Sequence, residues 1–427
     1  MARKTESAAR LADALGLVLG TTKIPVRLRA WDGTEAGPDG APVIVVRSRH
    51  TLRRLTWAPG QLGLGRAYVA GDIDIDGDVF AAFAALSSVG RLAKTGHQPG
   101  PSAGDRLRLL GIAARLGALG PQPHPPPEEV DLGQHAPRHT RRRDAEAIAH
   151  HYDVGNDFHA LVLGPSMVYS CAVWDDEQTG LDAAQQAKLD LVCRKLGLAP
   201  GMCLLDVGCG WGSLALHAAQ RYGVDVLGIT LSTEQATLAR KRVAEAGLTD
   251  RVEIRVQDYR DVDDGPFDAI SSIGMAEHVG RAQMARYVSC LHDLLRPGGR
   301  LLNHAISWNA GEARWNGDTF IARYVFPDGE LLSLAEMVAA LEAGGLEVLD
   351  VEALRRHYAL TLRAWVRRLE DNWNAAVTAA SEGRARVWRL YMAACALAFE
   401  AGTMGVNQVL VQRPGGMPPP LRRTAWL

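Results

Sequence analysis

Leu204-Leu205-Asp206-Val207-Gly208-Cys209-Gly210-Trp211-Gly212 is an apolar strand that ends in an acid and runs into a glycine-spaced turn, with a helix expected to begin near Ser213. Glycines at these places let backbone amides approach a ligand closely, at the carboxyl end of a strand, where open α/β sheets bind ligands. Around this stretch apolar strands alternate with helical periods. Residues 202–207, 224–230, 252–256, 267–273 and 300–306 read as five strands of a parallel sheet built from βαβ units.

Nucleotide oxidoreductases use a related loop, but here an acid stands two places before the first glycine, in an Asp-x-Gly-x-Gly-x-Gly pattern. That arrangement is the one the class-I, Rossmann-like methyltransferase fold uses for S-adenosylmethionine. The second strand ends Gly228-Ile229-Thr230-Leu231-Ser232-Thr233-Glu234-Gln235, without the ribose-binding acid that a dinucleotide enzyme places there. The third gives Gln257-Asp258-Tyr259, whose aspartate can accept an adenine amino group while its neighbours flank the ring. The plainer alternatives are a merely tight turn at the glycines and a solvated loop acid at Asp258.

The chain has 427 residues, which exceeds one ordinary hydrophobic core and predicts two domains. A net charge of -1 gives no global attraction to nucleic acid, which is not expected as a partner. Cys171, Cys193, Cys203, Cys209, Cys290 and Cys395 show neither a CxxC pair nor zinc-ligand spacing, so neither a metal site nor disulfides are expected, as suits a cytoplasmic protein. The apolar stretch near Leu15 to Leu19 is too short for a signal peptide or span, so contact with a membrane would be peripheral.

Residues 1–120 read as a small α+β domain: a helix over 7–19, β-rich stretches at 26–31 and 43–47 around a turn-rich 32–42, and helices over 79–86 and 107–119. Residues 121–144 read as a linker, opening with Pro121-Gln122-Pro123-His124-Pro125-Pro126-Pro127 and carrying Arg138, Arg141, Arg142 and Arg143. These arginines suit either phospholipid head groups or a solvated linker face. Residues 145–427 form the catalytic domain, whose part from about 361 to 407 is rich in helix formers.

His151-Tyr152-Asp153-Val154-Gly155-Asn156-Asp157, Met167-Val168-Tyr169-Ser170-Cys171-Ala172, the Asp206 glycine loop, Thr230-Leu231-Ser232-x-x-Gln235 and Ser272-Ile273-Gly274-Met275-Ala276-Glu277-His278-Val279-Gly280 occur in this order. Together they resemble the cyclopropane fatty acyl phospholipid synthase and mycolic acid methyltransferase family over residues 145–410. The stretch from Gly65 to Asp72 resembles the extra amino-terminal domain of its phospholipid-acting members. The resemblance implies a class-I α/β domain with a helical acyl-binding lid, and methyl transfer from S-adenosylmethionine to the double bond of an unsaturated phospholipid acyl chain at the inner face of the membrane. It also implies that the cofactor is held by Tyr169, Ser170, Asp206, the loop of Gly208, Gly210 and Gly212, the turn of Thr230, Leu231, Ser232 and Gln235, and Asp258 with Tyr259. A bicarbonate ion serving as base would be held by Cys171, Glu277, His304, the backbone at Ile306, and Tyr358.

The chemistry explains these residue types. An alkene is a poor nucleophile, and its methylation creates a carbocation in an apolar pocket, so the site must exclude water and supply a base. Tyr152 and Tyr169 offer aromatic faces to the cation, and Glu146 is an additional carboxylate candidate. Taken singly, Cys171 reads as a small buried hydrophobe, His304 as a satisfied core histidine and Glu277 as a helix-capping acid.

Ala276 stands where many cyclopropane-forming relatives carry a large aromatic. Direct quenching of the cation closes a cyclopropane; a prior hydride shift leads to a methylene branch. The Ala- and Arg-rich composition resembles that of actinobacterial homologues making the methylene precursor of tuberculostearic acid, so the reading leans to a 10-methylene product, which would be the substrate of a partner reductase. The amino-terminal domain is expected to dock on lipid or to join subunits into a homo-oligomer. Rival readings are a methyltransferase for a small oxygen or nitrogen nucleophile and a non-catalytic lipid-binding scaffold.

Overall fold

A computed structural model describes residues 7–58, 60–95, 102–130, 140, 143, 154–309, 319–416 and 418–423. They fall into two compact units, one drawn from 1–130, 318–324 and 381–397, the other from 131–317, 325–380 and 398–427. The first unit thus includes two segments that chain order places among the catalytic residues.

The first unit holds a sheet of β1 (Arg27–Ala30), β2 (Glu35–Ala36), β3 (Val43–Val46) and β4 (Ile73–Asp76), in the order β2-β1-β3-β4. β1 alternates: Leu28 and Ala30 enter a core with Ala8 and Leu11 of helix Ser7–Leu19, while Arg27 and Arg29 pair with Glu35 on the other face. Ser102 starts helix Ala103–Arg115 a few residues before the expected 107, through a capping box with Asp105. Arg386, 3% exposed, pairs with Asp74 and lies over the Tyr68 ring.

The second unit is built on β5 (Cys203–Val207), β6 (Asp225–Thr230), β7 (Val252–Val256), β8 (Phe267–Ile273), β9 (Leu295–Trp308), β10 (Leu332–Ser333), β11 (Glu347–Ala353) and β12 (Met404–Gln412). The order is β11-β12-β9-β8-β5-β6-β7, with β10 beside β9. The five strands expected from sequence are parallel and adjacent; β12 joins β9 antiparallel and β11 joins β12 antiparallel. Both faces are covered, and neighbours on one strand part company: Leu204 belongs to one core, Leu205 and Val207 to the other. This is the class-I methyltransferase arrangement, whose order reverses between β5 and β8.

β12 begins inside the stretch read as helix-forming. Every one of its residues is buried, including Asn407, Gln408 and Gln412, so it shows no alternation by which a strand is recognised. Helices Arg355–Asp371, Trp373–Ala379 and Glu382–Glu400 supply the helical content expected there, the first packing against helix Asn156–Leu163 and β12.

Candidate active site

The glycine loop makes one wall of a cavity at the carboxyl ends of β5, β6 and β8, beside the point where strand order reverses. Gly208, Gly210 and Gly212 have φ of 77°, 55° and 76°, the left-handed region that a side chain disfavours. The Gly208 and Cys209 amides donate to Ile229 O, holding the turn against β6. Among the expected cofactor residues, Tyr169, Ser170, Asp206, Gly208 and Gly210 line the cavity, as do Thr230, Leu231, Gln235, Asp258 and Tyr259.

Gly212 and Ser232 do not line it. A Cβ on Gly212 would stand 3.2 Å from Ala239 Cβ, so this glycine serves close helix packing. Ser232 Oγ accepts from Gln235 N, capping helix Thr233–Glu245 and thereby aiming Gln235, whose Oε1 accepts from Thr230 Oγ1 at 2.8 Å. Asp258 accepts from the Arg260 amide and guanidinium, so one carboxylate both caps the next turn and faces the cavity.

Sequence reasoning missed two buried polar residues on helix Leu181–Leu196. Lys188 Nζ donates to Ser170 Oγ at 3.1 Å, and Gln185 Nε2 donates to Ser170 O at 2.9 Å. Their signal was available: both sit on the same helical stripe as the buried Ala184, Leu189 and Val192. Burial pushes Lys188 down to about 8, against the opposing charges of Cys171 and Asp206. Burial likewise raises Asp206 to about 6, opposed by the Ser271 hydroxyl at 2.7 Å and by Lys188.

Cys171, His304 and Tyr358 are buried, Glu277 is half-buried with its Oε2 shielded from solvent, and none of the four lines the cavity. Main-chain contacts connect them. Cys171 Sγ lies 3.7 Å from Leu354 O, which also accepts from the Tyr358 amide; the Leu354 amide donates to Val406 O, and Val406 pairs with Ile306. Ile306 donates to Glu277 Oε1 at 2.8 Å. The Ile306 amide, expected to face a bound ion, is therefore engaged by Glu277.

Desolvation pushes the Glu277 carboxyl up to about 7 and the His304 ring down to about 3. Gln408 Nε2 lies 3.3 Å from His304 Nδ1, which as acceptor leaves the ring proton on Nε2. His304 Nε2 and Glu277 Oε2 are both buried and have no hydrogen-bond partner among the described residues. The first can donate and the second can accept or, protonated, donate, so each has capacity left for a further polar group.

Two short stretches join these regions. Tyr169 and Ser170 line the cavity while Cys171 is fully buried beside it; Met275 lines the cavity while Glu277 turns to the Ile306 amide. Aromatic rings run between them as well, with Tyr169 to Trp365 at 5.4 Å and Trp365 to Tyr358 at 6.1 Å. Tyr152 and Glu146 lie outside the described residues, as do Arg138, Arg141 and Arg142. Arg143 is bound to Asp328, both side chains 11% exposed.

Residues 139–409 match the family model described as mycolic acid cyclopropane synthetase. A probable fatty acid methyltransferase of Mycobacterium tuberculosis is 40% identical over 420 residues, 94% of each chain. A tuberculostearic acid methyltransferase of the same species is 34% identical over 92% of this chain and 89% of its own. Among solved structures, a mycolic acid cyclopropane synthase complexed with S-adenosylhomocysteine and a cetyl detergent is 35% identical, with a TM-score of 0.59 over 63% of this chain and 98% of that one.

Proposed function

The chain belongs to the mycolic acid cyclopropane synthetase family and is an S-adenosylmethionine-dependent methyltransferase of fatty acyl chains, and we propose that it methylates the cis double bond of an unsaturated acyl chain in a membrane phospholipid, leaving a 10-methylene branch. The observation that carries this reading is the pairing of a cavity suited to the cofactor with a cluster of buried His304 and half-buried Glu277 one residue away, across Ser170 and Cys171. The phospholipid is favoured by the N-terminal unit, since the mycolic acid enzyme is matched almost whole by 63% of this chain. The methylene product is favoured by full-length similarity to a tuberculostearic acid methyltransferase and by the small, buried Ala276 next to Glu277.

When bound, S-adenosylmethionine supplies an electrophilic methyl group. The alkene π pair forms the new carbon–carbon bond as the carbon–sulfur bond breaks, leaving a cation on the neighbouring chain carbon. Tyr169 lines the cavity, where its ring would stabilise a desolvated cation by about 2 kcal/mol. A hydride moving from the methyl-bearing carbon to its neighbour shifts the cation, and loss of a methyl proton then gives the methylene. Glu277 Oε2 and His304 Nε2 would hold the acceptor of that proton, and bicarbonate, with an O–H donor and several acceptor oxygens, fits their two unpaired positions. The buried Tyr358 and Cys171 keep water from the cation.

The reaction is placed at the inner face of the membrane, reached from the cytoplasm, with a reductase to saturate the branch. No described helix is long and apolar enough to cross a bilayer. Fragmentation mass spectrometry of phospholipid fatty acids from an oleate-making host, with and without the enzyme and with a methyl-labelled cofactor precursor, tests the proposal. A labelled methylene branch is expected. A labelled ring would make the product a cyclopropane, and no label in lipid by protein that binds cofactor would remove the acyl acceptor.

A further inference from the structure

The N-terminal unit carries an outward apolar face that the methyl-transfer chemistry does not use. Helix Ala103–Arg115 turns Ile112 and Ala113, with Leu116 just past its end, toward the interior, and packs on helix Ser7–Leu19. Its opposite side is apolar too. Leu107, Leu110, Gly111 and Ala114 recur at i, i+3, i+4 and i+7, which puts them on one stripe, and all four are exposed, Leu107 by 70% and Leu110 by 55%.

Basic residues border that stripe on both sides. At about 100° per residue, Arg106 falls along one edge and Arg108 with Arg115 along the other. The helix's acid, Asp105, lies on the inner half and is held in the capping box with Ser102. Beyond the helix end, Leu119 is 60% and Trp57 53% exposed. Trp57 Nε1 donates to Gly120 O at 3.1 Å and Arg53 donates to Leu119 O at 3.3 Å, which holds an indole and a guanidinium beside the exposed leucine.

We propose that this face docks the enzyme on an anionic phospholipid surface. The helix lies in the plane of the interface, with Leu107 and Leu110 among the acyl chains and the arginines at the phosphates, their aliphatic stems continuing the apolar surface. Trp57 suits the same depth, where an indole keeps its body apolar and its N–H satisfied. Charge favours lipid over a second copy of the chain, because an isologous pairing would bring the bordering arginines of each copy together. The inference deepens, and rests on, the reading of the substrate as a membrane phospholipid.

The test is flotation of the full chain with vesicles of phosphatidylglycerol and phosphatidylcholine, against vesicles of phosphatidylcholine alone. Two double variants are compared with it, L107D/L110D and R108E/R115E, all four positions being exposed and outside the cofactor cavity. The wild type is expected to float with the anionic vesicles, less so as salt rises. Each double variant should partition at least about tenfold more weakly. Thermal unfolding, cofactor affinity and methyl transfer to the same lipid dispersed in detergent should be unchanged. Equal flotation of variants and wild type would overturn the proposal, as would a wild type that does not float, or a dimer that the leucine substitutions dissolve. Loss of all transfer to lipid, dispersed or in vesicles, by wild type that floats would sink the substrate reading instead and leave the docking face standing.

Discussion

Lys188 Nζ donates to Ser170 Oγ at 3.1 Å on the wall of the cavity at the strand ends, and both residues are buried with Asp206. With Lys188 lowered to about 8 and Asp206 raised to about 6, both stay ionised at neutral pH, each partly offsetting the other's desolvation.

Replacing Lys188 with Met removes that donor and leaves the Asp206 carboxylate without its cation. Affinity for S-adenosylmethionine at pH 7 is expected to fall by about tenfold, the worth of one hydrogen bond to a charged group. Titration calorimetry reads it. An unchanged Kd would mean that the lysine serves packing alone.

Glu277 gives a pH prediction whose sign is fixed. Its folded value of about 7 lies above the ordinary 4.5, so its protonation stabilises the fold fully below 4.5, and that contribution is lost as pH rises through 7. Glu277→Gln should therefore gain stability over the wild type as pH rises from 4.5 to 8, by at most about 3 kcal/mol, with no such trend at lower pH. Denaturant melts at the two ends of the range measure it. The same substitution should abolish methylene formation while cofactor affinity stays within about twofold.

Gly208→Ala places a Cβ on a residue at φ 77°, 3.5 Å from Met275 Sδ. The strain costs about 1–2 kcal/mol. A lower Tm is expected, together with weaker cofactor binding, because the turn relaxes by moving the amides that line the cavity. A Tm equal to that of the wild type would show that the loop tolerates the side chain.

Tyr169 can be split into ring and hydroxyl. Tyr169→Phe keeps the face toward the cavity and should retain kcat within about threefold, whereas Tyr169→Leu should lose about thirtyfold, the equivalent of about 2 kcal/mol of cation–π attraction. Single-turnover rates with labelled cofactor distinguish the two. Equal losses in both variants would assign the role to the hydroxyl.

Much of this was written in local sequence. The glycine turn after Asp206 and the five parallel strands follow from short-range patterns, because a buried strand and a positive φ each demand particular residues where they occur. So does the lining of the cavity by most of the residues expected there, since the loops carrying them end those strands. Other features depend on partners far along the chain. β12 became recognisable only once β9 and β11 flanked it, since burial on both faces erases alternation. The resemblance implies Gly212 and Ser232 as cofactor residues, and packing against Ala239 and a helix cap are what the fold shows at these two positions. Lys188 and Gln185 share a stripe with apolar Ala184, Leu189 and Val192 that the sequence displays, but their bonds to Ser170 are made only by packing. The carboxyl of Glu277 and the ring of His304 owe their perturbed protonation to desolvation in an enclosure whose contacts join residues up to 183 positions apart, and desolvation is a property of the packed chain that no local stretch contains.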